Sequence, residues 1–224
     1  MSFLLLGKQR DDFYFKKAQD FLCQHFPETE VVLARPGESF PEAYRSWKGD
    51  YLISYLCPWI IPKTLLEGVR VASINFHPGP PEYPGTGCTN FALYHDVKVY
   101  GVTCHYMAPV VDSGKIVAVR RFPVFPADTV YSLTQRCYAY MLVLFYDVIS
   151  LIIQGQPLPE AGETWKRKAY RRVELEELKR IEADMSPEEI RRRIRAVTYP
   201  GYPGAYTEIN GIRFEYPPEA DQNL

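Results

Sequence analysis

Apolar residues in the first third of the chain come in short unbroken runs rather than in alternation. SFLLL (2–6), EVVLA (30–34), DYLISYL (50–56) and VASINF (71–76) read as strands covered on both faces. Gly7 after the first run reads as a tight turn. Between the runs, DDFYFKKAQDFLCQHF places Phe13, Lys17, Asp20, Phe21 and Gln24 at helical spacing behind acidic residues suited to a helix N-terminus. IPKTLLEG predicts a short helix closed by Gly68. Strand, helix, strand with apolar strands predicts an α/β fold around a mostly parallel sheet.

The pattern then becomes mixed. TNFALYHDV predicts a helix, and YGVTCHYMA a strand with Val102, Cys104 and Tyr106 on one face and Thr103, His105 and Met107 on the other. KIVAVRRFPV predicts another strand, and residues 128–155 a long helix with Asp128 as N-cap and Gly155 at its end. RKAYRRVELEEL is charged and expected to face solvent. MSPEEIRRRIRAV has Ser186 as N-cap and Pro187 at the first helical position. AYTEINGIRFEY centres on Asn210-Gly211, a strong hairpin signal, and PPEADQNL after it is expected to fray. These elements divide the chain into a body of residues 1–180 and a helix-and-hairpin appendage of residues 181–224.

The length of 224 residues suits one sizeable core. With 26 basic and 27 acidic residues the net charge of -1 gives no global attraction to nucleic acid or to an anionic membrane. The basic clusters Lys166 to Arg172 and Arg191 to Arg195 are separated by acidic stretches and read as helix faces. MSFLLLGKQRDD lacks a signal peptide's basic leader, and no apolar run approaches the roughly 20 residues of a spanning helix. Five scattered cysteines suit reduced thiols in a cytoplasmic protein, and no CxxC or HExxH suggests a metal. No GxGxxG follows SFLLL, which weakens a dehydrogenase reading.

The chemistry concentrates in SINFHPGPPEYPGTG, residues 73–87. Alternation puts Asn75 and His77 on one face of a strand end, where open parallel sheets bind ligands. Asp112, in VVDSGKI, has the residue type and setting to orient the histidine. Taken singly, Asn75 and His77 read better as strand-end polar groups and Asp112 as a turn former; their order and flanks favour a site. His105 reads as a strand residue, His25 and His95 as surface positions, and Lys63 as a solvated helix residue.

Asn75-Phe76-His77-Pro78 with its Pro- and Gly-rich loop, Gly101-Val102-Thr103 with His105, and Val111 to Ile116 together resemble the N10-formyltetrahydrofolate-dependent formyltransferases. The resemblance is good over residues 50–155 and implies a Rossmann-like formyltransferase fold. It implies that Asn75 holds the formyl oxygen, that His77 stabilises the oxyanion or takes the amine proton, and that Asp112 fixes the histidine. It places the folate against Leu56, Cys57, Trp59, Ile60, Ile61, Pro62 and Val110. HPGPPEYPGTG and the tail from Arg195 are most similar to the nucleotide-sugar branch, which implies an amino sugar linked to dTDP or another nucleotide, such as dTDP-4-amino-4,6-dideoxyglucose. Lys8, Arg10, Pro81, Glu82, Tyr83, Gly85 and Thr86 are then the candidate substrate contacts, and a homodimer through the C-terminal region is expected. Alternatives are a small amine such as glycinamide ribonucleotide, disfavoured by both loops, or a folate- or nucleotide-binding module without chemistry. A tRNA substrate is disfavoured because only eight residues follow Tyr216.

Overall fold

The computed structural model describes residues 1–9, 12–35 and 37–216, so Arg10 and the tail 217–224 lie outside the described residues. The main sheet runs β2 (Glu30–Ala34), β1 (Phe3–Lys8), β3 (Gly49–Tyr55), β4 (Val69–His77), β5 (Val99–Tyr106), β6 (Ile116–Pro123). The first four strands pair in parallel; β4 with β5 and β5 with β6 are antiparallel.

Strand alternation sorts the apolar runs into two cores. Phe3 and Leu5 of β1, Ile53 and Tyr55 of β3 and Ile74 and Phe76 of β4 join one large cluster, while Leu4, Leu6 and Leu52 join a smaller one. The large cluster is covered by α1 (Phe13–His25) and α4 (Val130–Ile153), and the smaller by Leu65 of α2 (Lys63–Glu67) and by Phe40. On α1 the buried face is Phe15, Ala18 and Leu22, whereas Phe13 is 65% exposed. Gly7 is not a turn: β1 continues through it, and a side chain there would meet the Phe15 ring at 2.2 Å. Glycine lets α1 pack directly on the strand.

The cap of α4 is Thr129, which exchanges bonds with Ser132, rather than Asp128. Asp128 is buried and paired with Arg136 instead. At 24 residues α4 is also long and apolar enough to cross a membrane, contrary to the reading of the runs. Here Leu133, Cys137, Met141, Phe145 and Ile149 pack into the core.

The charged stretch expected to face solvent is partly buried, because Tyr170, ahead of α5 (Arg172–Lys179), and Leu178 within it are 7% and 5% exposed. Helix α3 (Cys88–Tyr94) packs on α6 (Pro187–Val197), which Ser186 caps as expected. A separate hairpin, β7 (Tyr206–Ile209) with β8 (Ile212–Glu215), turns at Asn210 and Gly211, both in the left-handed region at φ 50° and 77°.

Candidate functional site

Phe76 enters the core, so Asn75 and His77 emerge on the opposite face of β4. The register with β5 sets Asn75 opposite His105 and His77 opposite Thr103, which makes the polar face of β5 the other half of the site. Asp112 arrives from the turn after β5 with φ 45°, a conformation that Asp tolerates better than most residues.

The carboxylate joins both imidazoles. Oδ2 lies 3.3 Å from Nδ1 of His77 and accepts the Gly85 N–H at 2.7 Å, and Oδ1 lies 3.2 Å from Nε2 of His105. Nε2 of His77 donates to the Tyr83 carbonyl at 2.9 Å, and Nδ1 of His105 donates to the Tyr106 carbonyl at 2.8 Å. The remaining His105 nitrogen is 3.1 Å from the Asn75 amide nitrogen, so it stands between Asn75 and Asp112. As an acceptor it takes the amide hydrogen; as an N–H it donates to the carboxylate.

Burial sets the electrostatics. Desolvation pulls the His77 imidazole below its ordinary value, against the opposing pull of Asp112 and the Tyr83 carbonyl. Desolvation also pushes Asp112 up, but His77, His105 and the Gly85 N–H outweigh it and hold the carboxyl well below the usual range. An ionised carboxylate therefore faces a neutral imidazole poised to gain charge.

These residues line a cleft of about 590 Å³, within the size range of small-molecule sites. Leu56, Cys57, Trp59, Ile60, Ile61, Met107 and Val110 form its apolar end. Pro62 instead is the N-cap of α2 and lies outside the lining. Leu56 has φ 56°, unusual for a bulky residue, where β3 gives way to the cleft.

Of the loop residues, Gly85 and Thr86 line this cleft. Pro81, Glu82 and Tyr83 do not. The Pro81 carbonyl accepts the Lys166 N–H at 3.0 Å, Glu82 is held in a two-pronged pair by Arg121, and the Tyr83 hydroxyl meets His95 at 3.1 Å. The Pro78 carbonyl beneath accepts Tyr100 Oη at 3.0 Å, Cys88 Sγ at 3.2 Å and Cys137 Sγ at 3.1 Å. Lys8 lies in a second cleft of about 300 Å³, with Lys179, Tyr138, Tyr199 and Tyr202, and Pro78 borders both clefts.

A segment missed in the sequence crosses the site. Residues 161–171 strap the loop from Ile116 to Thr86 through bonds from Ala161 N–H to Ile116, from Tyr170 N–H to Pro84 (2.9 Å) and from Thr86 N–H to Tyr170 (2.9 Å). A Cβ at Gly85 would lie 2.4 Å from the Tyr170 carbonyl oxygen, so glycine admits the strap. Trp165 donates to the Gly114 carbonyl at 2.8 Å and meets the rings of His77 and His105 edge to face, at 5.8 and 5.0 Å. His105 had a signal, its place on the polar face of a two-faced strand. Trp165 had none.

A formyl transferase family model matches residues 28–149. GDP-perosamine N-formyltransferase of Brucella melitensis is 30% identical over 193 residues, which is 85% of this chain and 73% of that protein. Human mitochondrial 10-formyltetrahydrofolate dehydrogenase is 30% identical over 76% of this chain, which spans only 18% of that longer protein. Among solved structures, the N-formyltransferase of Helicobacter canadensis in complex with folinic acid and dTDP-3-aminofucose superposes with a TM-score of 0.71 at 18% identity, over 93% of this chain and 84% of that one. With the match over 28–149 and the relative alignable along most of both lengths, the chain belongs to the formyl transferase family.

Proposed function

We propose that the protein is a sugar N-formyltransferase, moving the formyl group of N10-formyltetrahydrofolate to the amine of a nucleotide-linked 4-amino-4,6-dideoxyhexose. The observation that carries this reading is the cluster of half-buried Asn75 with buried His77, His105 and Asp112 in a cleft apolar enough for a pterin, which shares Pro78 with a second cleft bearing Lys8 and Lys179 for a diphosphate. The Brucella relative, named for a GDP-linked amino sugar, favours a nucleotide sugar over other amines.

The acceptor amine attacks the formyl carbon, the carbonyl oxygen gains negative charge, and the bond to N10 breaks as the intermediate collapses, with N10 leaving as the neutral amine after it receives the proton that the acceptor gave up. Asn75 offers the amide N–H that His105 does not take to that oxygen. The Nε2–H of His77 is committed to Tyr83, so the imidazole is better placed to receive the amine's proton than to donate to the oxyanion. Asp112 stabilises the resulting cation across 3.3 Å. His105 aligns Asn75 with Asp112.

The mass-spectrometric test combines the protein, N10-formyltetrahydrofolate and dTDP-, GDP- and UDP-linked amino sugars, including dTDP-4-amino-4,6-dideoxyglucose. A product heavier by one carbonyl supports the reading; an unformylated panel refutes it. Ile209, Ile212 and Phe214 of the hairpin are 57%, 61% and 52% exposed, which favours pairing with a second copy in a homodimer. Sedimentation of only monomer at micromolar concentration would remove the dimer.

A further inference from the structure

The strap and the first residue of α5 carry Lys166, Arg167, Lys168, Arg171 and Arg172 with no acidic residue between them, in a chain whose net charge is -1. Its main-chain bonds to Pro81, Pro84 and Thr86 hold this run at one end of the catalytic cleft, where Ala169, Tyr170 and Arg171 form part of the wall. All five cations are exposed. Glu174 takes Arg167 at 2.8 Å and approaches Arg171 at 3.7 Å. Among the described residues, Lys166, Lys168 and Arg172 make no ion pair. The nearby acids Glu163 and Glu160 are engaged by Arg121 and Lys115.

We propose that residues 166–172 form a subsite for the γ-linked oligoglutamate tail of the folate donor. The proposal rests on the reading that the cleft takes a formyl folate. In that molecule N10 joins the pterin side to the p-aminobenzoylglutamate side. With the formyl carbon at Asn75 and His77 and the pterin among Trp59, Ile60 and Val110, the aminobenzoyl group points the other way, toward Tyr170 and Arg171. Its terminal glutamate then emerges beside the cations, and each further γ-glutamyl unit adds a carboxylate. The acceptor's diphosphate has its own cations, Lys8 and Lys179, beyond Pro78. Exposed ion pairs are individually weak and screened by salt, so the expected signature is a graded gain with tail length that fades as salt rises.

The experiment compares monoglutamyl and pentaglutamyl donor. The pentaglutamyl form should have a KM lower by about tenfold at low ionic strength, the sum of several weak pairs. Lys166→Gln/Lys168→Gln/Arg172→Gln should bring the ratio close to one. Calorimetric binding of monoglutamyl and pentaglutamyl 5-formyltetrahydrofolate reads the same ratio without turnover. Equal binding of the two forms by the parent protein overturns the proposal while leaving formyl transfer intact. A triple variant that raises the KM of the sugar nucleotide and leaves the tail effect in place also overturns it, assigning the cations to the diphosphate. A protein that binds neither folate form overturns both the subsite and the functional reading.

Discussion

Asp112→Asn tests the logic of the site most directly. The substitution keeps the shape and one acceptor oxygen, so the 2.7 Å bond from Gly85 can persist. It removes the charge that faces His77 at 3.3 Å and His105 at 3.2 Å. A hydrogen bond to a charged partner contributes about 1.5–3 kcal/mol, and each 1.36 kcal/mol is about tenfold in rate. Losing the countercharge of His77 alone should therefore lower kcat/KM by about tenfold to a hundredfold, and losing the support of both rings by about 10²–10⁴. The assay is initial-rate formyl transfer, with calorimetric affinity for 5-formyltetrahydrofolate as the check that the cleft is intact. A variant within threefold of the parent in kcat/KM would refute the coupling, and a fall matched by lost folate affinity would reduce Asp112 to a structural role. Asp112 has a folded pKa below its unfolded value, so its stabilisation is present above about pH 3.9 and disappears as pH falls through the lower folded value. The stability gap between parent and Asp112→Asn should accordingly be open at pH 7 and close below about pH 4.

His105→Gln should lower kcat by about tenfold to a hundredfold through misalignment of Asn75 and Asp112, with folate affinity retained; turnover equal to the parent would make it a packing residue. His77 also has a folded pKa below its unfolded value, so the protein should lose stability as pH falls below about 6.5, and His77→Asn should flatten that slope in chemical denaturation. Gly85→Ala imposes a Cβ 2.4 Å from the Tyr170 carbonyl at φ +88°, and should cost about 1–3 kcal/mol and free the strap, read as faster proteolysis near Trp165. Thr129→Ala should cost about 1 kcal/mol in thermal melting with no effect on transfer, as expected for a helix cap.

Local pattern made much of this legible. Asn75 and His77 are two residues apart on a strand, so their shared face follows from alternation, and Asn210-Gly211 needs only its own turn. What could not be read depends on partners far along the chain. His105 joins the site through strand register across 30 residues, and Gly7 is explained by the ring of Phe15 rather than by its own conformation. The strap is longest in range: its charges resemble a solvated face until the bonds to Pro81, Pro84 and Thr86 draw Tyr170 inside. Asp128 was misread because an acid before an apolar run looks like a cap, while Arg136, eight residues on, claims it.

The triple bond donation to the Pro78 carbonyl bears on how the enzyme responds to its surroundings. Burial pushes the Cys88 thiol up, and pushes Cys137 and the Tyr100 phenol well above their ordinary values, so all three donors keep their protons across the physiological range. The floor of the loop is thus pinned by neutral groups, which neither acid nor salt dissolves. A change in pH reaches the chemistry through the His77 and Asp112 pair while the frame around it stays fixed, leaving proton transfer and loop architecture as separately adjustable properties of one short sequence.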